Sequence, residues 1–280
     1  MVVRELTDVA SSWRSTRSLE DFLVERRIPA IVGIDTRRLT RHLRHHGALA
    51  GAFGHGDPAV VARQAQTAKG TDGTDFVSTV TTSEPYTRGD GAMHVVAIDY
   101  GIKTTMVQQL ADRFRITVVP AHTGADEIRA LSPSGVFLSN GPGDPAALGR
   151  EVEVLRQLVG TLPIFGICLG HQLLGVALGG TTYKLPFGHH GSNHPVKDLA
   201  TGRVEITAQN HNYALARESL THAVVSHVNL NDGVVEGITA REHRCFSVQY
   251  HPEAGPGPHD ARYLFDRFDT LLRGGAVETR

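Results

Sequence analysis

One of the two cysteines in this 280-residue chain, Cys168, stands where a thiol can act as a nucleophile. It lies in Pro163-Ile-Phe-Gly-Ile-Cys168-Leu-Gly-His-Gln-Leu-Leu174. There a short apolar run ends, Gly166 and Gly170 flank the cysteine two residues to either side, and an apolar helical pattern begins at once. This is the thiol counterpart of the G-x-S-x-G elbow. Glycines at those two positions let strand and helix approach closely around a sharp turn, so the central side chain projects from the sheet edge. Exposed N–H groups at the start of the helix favour a thiolate. The N–H of Leu169 is placed to donate to an oxyanion. The plainer reading, a small buried hydrophobe, suits most lone cysteines. It suits Cys245, which lies in the strand-like Arg244-Cys-Phe-Ser-Val248 without a turn.

A thiol nucleophile needs a base, and the base needs an orienting group. Sixteen histidines make histidine alone uninformative. In Phe246-Ser-Val-Gln-Tyr-His251-Pro-Glu253, however, a strand ends in His-Pro-Glu. Residues i and i+2 of an extended chain point the same way, and Pro252 stiffens the backbone between them. His251 and Glu253 are thus expected to project together. Alone, the segment reads as a strand followed by a stiff polar turn. Together with the Cys168 elbow it reads as a Cys-His-Glu triad. The histidines at 189, 190 and 194 do not match H-E-x-x-H or a C-x-x-C zinc pattern, so no metal site is expected and they read as hydrogen-bonding groups.

The elements that must position these residues follow from periodicity. Val95–Asp99, Ile116–Val119, Gly135–Leu138 and Ile164–Ile167 are short continuous apolar runs, as expected of strands buried on both faces. Helical patterns separate them: one to about Phe114, one near Asp126–Leu131 and one over about 149–159. Such alternation predicts an α/β fold with a largely parallel sheet flanked by helices. Beyond Gly180 the strands crowd together, and the Asn231-Asp-Gly233 turn suggests antiparallel additions that make the sheet mixed. Residues 1–80 differ. They are rich in Arg and His, with a helix capped by Ser18 and a second from about Asp35 to His46, stopped by Gly47. The arginines of the second helix read as a solvated face. The stretch 81–93, with Pro85, Gly89 and Gly91, reads as a linker.

The composition limits the partners. A formal net charge of -1 gives no sign of a nucleic-acid or acidic-membrane surface. No apolar run approaches the roughly 20 residues of a membrane span. The first residues lack a secretory pattern, and two cysteines suit a reducing compartment, so a cytoplasmic location is expected. There is no G-x-x-x-x-G-K-[ST] loop and no G-x-G-x-x-G fingerprint after a strand, so no cofactor is expected in this chain.

Ser139-Asn-Gly-Pro-Gly-Asp-Pro145, Gly166-Ile-Cys-Leu-Gly-His-Gln172 and Gln249-Tyr-His-Pro-Glu253 resemble, in order and spacing, the three signatures of class I glutamine amidotransferases. Four more segments narrow the resemblance to the small subunit of carbamoyl phosphate synthetase. They are Ile34-Asp-Thr-Arg-Arg-Leu39, His190-Gly-Ser-Asn-His-Pro-Val196, Ala208-Gln-Asn-His211 and Glu253-Ala-Gly-Pro-Gly-Pro-His-Asp260. The resemblance runs from about Val2 to Leu272.

It implies a flavodoxin-like amidotransferase domain over 94–273, a remnant of the family's first domain over 1–80, and a tail at 274–280. Cys168 would attack the glutamine side-chain amide, His251 would protonate the departing ammonia and then activate water, and Glu253 would orient the imidazole. Gly141 and Leu169 would hold the oxyanion, and Gly143, Gln172, Asn210, Asn212 and Tyr213 match positions that hold glutamine. The implied partner is the synthetase large subunit, which would use the ATP and make carbamoyl phosphate for arginine and pyrimidine synthesis in a heteromer.

Two departures stand out. Asn212-Tyr213 replaces the family's Gly-Phe, and an N-terminal stretch of the family's first domain is expected to be absent, whether through an internal start, a fragment or divergence. Two other functions stay open on the sequence: an amidotransferase subunit of another synthase, and a non-catalytic paralogue acting as a scaffold.

Overall fold

A computed structural model describes residues 1–276 and divides the chain between Gly70 and Thr71 into two units. The expected tail at 274–280 lies outside the described residues from 277 onward.

The first unit holds three helices whose ends are set by local side chains. In α1 (Leu19–Glu25), the Ser18 hydroxyl accepts from the Asp21 N–H, with Glu20 and Asp21 in the first turn. In α2 (Thr36–His46), Asp35 accepts from Arg38 N–H at 2.9 Å, and Gly47 ends the helix with a positive φ of 82°. The expectation for these two holds to within a residue. The third, α3 (Pro58–Thr67), has Asp57 as N-cap and proline at the helix start. A parallel bridge joins Val2 to Ile31.

The second unit opens with a short helix, α4 (Val77–Val80), and then builds one ten-stranded sheet. In chain order its elements are β1 (Tyr86–Arg88), β2 (His94–Asp99), α5 (Thr104–Ala111), β3 (Arg115–Pro120), α6 (Ala125–Ala130) and β4 (Gly135–Leu138). Then come α7 (Gly149–Leu158), β5 (Ile164–Ile167), α8 (Leu169–Ala177), β6 (Thr182–Asp198) and β7 (Val204–Leu215). The unit closes with β8 (Val224–Asn229), β9 (Val235–Ala240), β10 (Cys245–Val248) and α9 (Tyr263–Leu272).

The order across the sheet is β1-β3-β2-β4-β5-β10-β9-β8-β6-β7. The run from β3 to β10 is parallel, and the pairs outside it are antiparallel. This is the mixed, largely parallel sheet that the alternation predicts. Its central strands are apolar without interruption because helices cover both faces. On one face Ile128, Leu155, Leu173 and Leu174 pack from α6, α7 and α8; on the other Met106, Leu110, Phe265 and Phe268 pack from α5 and α9. Both clusters are continuous, which is the burial that drives folding.

Two boundaries differ from expectation. The first unit ends at Gly70 rather than 80, because residues 71–80 are tied to the second unit. Gly73 N–H donates to Asp144 at 2.8 Å, Val77 is buried, and the following Thr81 hydroxyl donates to the Asp99 carbonyl at 2.6 Å. The expected linker 81–93 contains β1, which pairs with β3. Its Gly89 is there for close approach, since a Cβ would lie 2.2 Å from the Phe114 carbonyl oxygen. Among the described residues, no helix is long and apolar enough to cross a membrane.

Candidate active site

Strand β5 ends at Ile167 and α8 begins at Leu169, leaving Cys168 alone at the corner. Its φ of 55° is unusual for a residue with a side chain. The strained turn is held by Cys168 N–H donating to the Val248 carbonyl at 2.9 Å and by Gly170 N–H donating to the Ser139 carbonyl at 3.0 Å. Gly170 cannot be replaced easily, because a Cβ there would meet Leu138 O at 2.4 Å and Leu138 Cβ at 2.6 Å. Strain of this kind persists only where the surroundings over-determine it. Leu169 is the first residue of α8, so its N–H has no intrahelical acceptor and remains for a ligand.

The parallel pairing of β5 with β10 delivers the second half of the site. Val248 lies beside Ile167, so the chain leaving β10 passes the Cys168 corner. His251 and Glu253 follow, and both are buried. His251 Nδ1 donates to Glu253 Oε1 at 2.9 Å, which leaves Nε2 for the thiol side. Burial works against a charged His251 ring. Hydrogen bonding and charge from Cys168, then from Glu253, outweigh it and take the imidazole up to about 9. Burial likewise works to raise the Glu253 carboxyl, but His251 and then Lys103 hold it below the ordinary carboxylate value.

Lys103 was not foreseen. It caps α5, and its Nζ donates to Glu253 Oε1 at 3.0 Å and lies 3.3 Å from His251 Nδ1. The available signal was positional: Lys103 follows the C-terminal end of a parallel strand, the edge where α/β sheets gather ligands.

A cavity of about 410 Å³ opens beside the triad. Cys168, His251, Lys103, Gly141, Gly143, Gln172, Asn210, Asn212 and Tyr213 all line it, so the structure brings together the five expected glutamine-holding positions and Gly141. Leu169, the other expected oxyanion donor, is buried and is not part of that lining. Gln172 is fixed because its Nε2 donates to the Tyr213 carbonyl at 2.7 Å and to Gln249 Oε1 at 3.0 Å. Thr71 and Phe76 also border the space. The segment carrying them is pinned by Tyr213, whose hydroxyl donates to Asp72 Oδ1 at 2.5 Å and lies 3.1 Å from Thr71 Oγ1. Lys184 pairs with the same Asp72 oxygen at 2.7 Å. Burial, then the bond to Asp72, pushes the Tyr213 phenol up to about 12.

Three other chemistry-bearing groups have structural surroundings. His171 is fully buried, with Nδ1 2.8 Å from the Ser247 hydroxyl, and burial takes its pKa down to about 3. Cys245 is fully buried, and its thiol is pushed up to about 12. His189, His211 and Glu236 bring potential ligand atoms within 4.8 Å of one another. Ligand atoms around a four-coordinate zinc lie about 3.4 Å apart, the spacing set by its bond lengths. These side chains also have protein partners. His189 sits between Asp232 at 2.8 Å and Glu236 at 3.4 Å; burial opposes its charged form, but the two carboxylates raise its pKa. Gln209 and Asn229 donate to Glu236, and burial drives His211 down to about 3. The cluster is an ion-paired hydrogen-bond network that reaches the cavity wall at His211.

Comparison with known proteins agrees with this geometry. Residues 96–271 match the family described as glutamine amidotransferase class-I, and residues 1–53 match the carbamoyl-phosphate synthase small chain, CPSase domain. The carbamoyl phosphate synthase small chain of Chlorobaculum tepidum is 51% identical over 97% of this chain and 77% of its own length. The carbamoyl phosphate synthase pyrimidine-specific small chain of Halalkalibacterium halodurans is 49% identical over 97% of this chain and 76% of its own. Among solved structures, a putative GMP synthase component from Thermoplasma acidophilum superposes with a TM-score of 0.56 at 16% identity. The match covers 66% of this chain and 96% of that one, a likeness of fold. By its sequence, and by the amidotransferase domain that holds the cysteine corner, the chain belongs to the carbamoyl phosphate synthase small chain family.

Proposed function

We propose that this chain hydrolyses glutamine to glutamate and ammonia through a thioester on Cys168, and passes the ammonia to a synthetase large subunit that makes carbamoyl phosphate. The observation that carries the reading is the placing of Cys168 and His251 on the wall of one cavity, with Glu253 bonded to the His251 ring behind it.

The Cys168 sulfur attacks the side-chain amide carbon of glutamine, and the resulting oxyanion accepts from the N–H groups of Leu169 and Gly141. As the carbon–nitrogen bond breaks, His251 gives its proton to the leaving nitrogen, which departs as ammonia. The neutral imidazole then takes a proton from water, whose oxygen attacks the thioester. Glutamate leaves and the thiolate–imidazolium pair is restored. Glu253 stabilises the imidazolium and fixes its tautomer, with Lys103 holding the carboxylate in place.

Ammonia set free in neutral water would be protonated and lose its nucleophilicity, so the chemistry makes sense when docked to an acceptor enzyme. In this reading ATP is used by that partner, in the cytoplasm, for arginine and pyrimidine synthesis. The family membership and the relatives' names support the partner assignment.

The test is covalent trapping. Incubation with 6-diazo-5-oxonorleucine, a glutamine-like electrophile, should add one adduct on Cys168 by peptide mass spectrometry and stop glutamine hydrolysis. Cys168→Ala should prevent both. Labelling that ignores Cys168, or hydrolysis that survives its removal, would refute the mechanism.

A further inference from the structure

Residues 71–76 lie between the cavity and solvent as a single layer of chain. Thr71 and Phe76 line the cavity, while Asp72, Gly73 and Asp75 between them are exposed. The sequence sets the shape. Thr74 N–H donates to the Thr71 carbonyl at 3.2 Å, closing a turn with Asp72-Gly73 at its centre, and Gly73 takes the positive φ of 65° that glycine allows there. The turn is fastened at both rims of the cavity. At one rim the backbone itself is held: Gly73 N–H donates to the nearly buried Asp144 carboxylate at 2.8 Å, and a Cβ on Gly143 would lie 3.0 Å from the Thr74 carbonyl oxygen. At the other rim everything converges on one carboxylate oxygen. Lys184 on β6 lies directly across from Tyr213 on β7, so their side chains share a face, and both donate to Asp72 Oδ1.

The two fastenings differ in kind. Chain packed against Gly143 has little room to shift, whereas the Lys184 and Asp72 side chains are 34% and 65% exposed, and an exposed ion pair holds little on its own. The Tyr213 hydroxyl supplies the second donor that makes the latch. Lys184 and then Tyr213 hold the Asp72 carboxyl below its ordinary value, so it accepts from both as an anion at neutral pH. Without those contacts the turn can swing about Gly73, away from Tyr213, and open the cavity on that side. We propose that Asp72 is a positioning residue: by accepting from Tyr213 and Lys184 it holds residues 71–76 shut across the cavity, which restricts access to Cys168 to small molecules and shelters the reacting amide from bulk water. The identity of the occupant rests on the glutaminase reading, whereas the closure does not.

The experiment compares the full chain with its Asp72→Ala, Lys184→Met and Asp72→Asn variants. Cys168 is labelled with iodoacetamide, which is small, and with N-(1-pyrenyl)maleimide, which is bulky, and each rate is read by peptide mass spectrometry. Asp72→Ala should raise the pyrenylmaleimide rate about tenfold or more, the scale of a lost charge-assisted contact, with the iodoacetamide rate within about twofold. Lys184→Met removes one of the two donors and should move the same ratio by less. Asp72→Asn keeps an acceptor oxygen without the charge and should fall between Asp72→Ala and the unsubstituted chain. KM for glutamine should rise several-fold in Asp72→Ala with kcat within about twofold, because Thr71 and Phe76 leave the wall while the triad is untouched. An unchanged ratio of the two labelling rates in Asp72→Ala and Lys184→Met would overturn this inference while leaving the glutaminase reading intact. Failure of the unsubstituted chain to hydrolyse glutamine would overturn that reading, and the labelling ratio would still decide the closure. Cys245 is fully buried and so reports unfolding. Should Asp72→Ala become labelled there, Lys184→Met makes the same test of the ratio.

Discussion

The two units treat their apolar side chains in opposite ways. Among residues 1–70 Leu23 alone is buried, while Trp13, Val9 and Val24 are 87%, 71% and 71% exposed. The second unit covers both faces of its sheet with continuous apolar clusters. In the first unit, caps specify the helices: Ser18, Asp35 with Gly47, and Asp57 with Pro58. In the second, helix and strand are held by what they pack against. Caps define where a helix starts and stops, whereas most helical stability comes from tertiary burial. The proposed triad of Cys168, His251 and Glu253, whose chemistry would tolerate little displacement, lies wholly in the unit that has a core.

The contrast is broken most directly with two glycines. Gly170→Ala forces a Cβ onto the Leu138 backbone and should destabilise the second unit by about 3 kcal/mol, read as a lowered urea midpoint. Gly51→Ala meets nothing within 4 Å and should change stability by less than about 0.5 kcal/mol. Equal effects would remove the distinction between the units.

Activity should divide the same way. Glu253→Gln keeps the shape of the triad but removes the charge that holds the imidazolium, and should lower glutaminase kcat by on the order of 100-fold or more. Asp35→Ala, in the first unit, should leave kcat unchanged.

Acidity gives a third contrast, confined to the second unit. The His251 pKa is raised to about 9 in the folded protein, from an ordinary value of 6.5. Its stabilising contribution is therefore complete below 6.5 and is lost as pH rises through about 9. Glu253, held low, contributes above its ordinary carboxyl value and loses that contribution as pH falls through its depressed one. Urea midpoints between about pH 6 and 10 should fall on the alkaline side, and His251→Asn should flatten that fall.

Smaller effects sharpen the picture. Tyr213→Phe removes the hydroxyl that binds Asp72 and Thr71. A loss of about 1 kcal/mol is expected, read as a several-fold rise in KM with kcat retained. Asp35→Ala should weaken α2 by about 1 kcal/mol, visible as faster amide exchange confined to residues 36–46. Faster exchange spreading into the second unit would contradict the local character assigned to these caps.

Much of this was legible in the sequence where the rules are local. The Cys168 corner could be read because a turn that sharp needs glycines at fixed offsets, and the four parallel-sheet runs because strands buried on both faces are apolar throughout. The helices α1 and α2 showed their caps. The reading of 81–93 as a linker stumbled on Gly89, since a glycine that permits close packing looks the same in sequence as one that loosens a loop. Residues 71–80 read as part of the first unit because nothing local shows that Asp72 will meet Tyr213, 141 positions away.

The chain's own order of residues thus determined the cysteine corner, the spacing of the histidine and carboxylate after β10, and the alternation that builds the sheet. Each follows from steric or periodic rules acting over a few residues. Only the tertiary structure decided that Lys103 reaches Glu253 across 150 positions, or that His190 faces the two asparagines of β7. Those meetings depend on strand order and register, which are set when the whole sheet closes around its core rather than by any short stretch of chain.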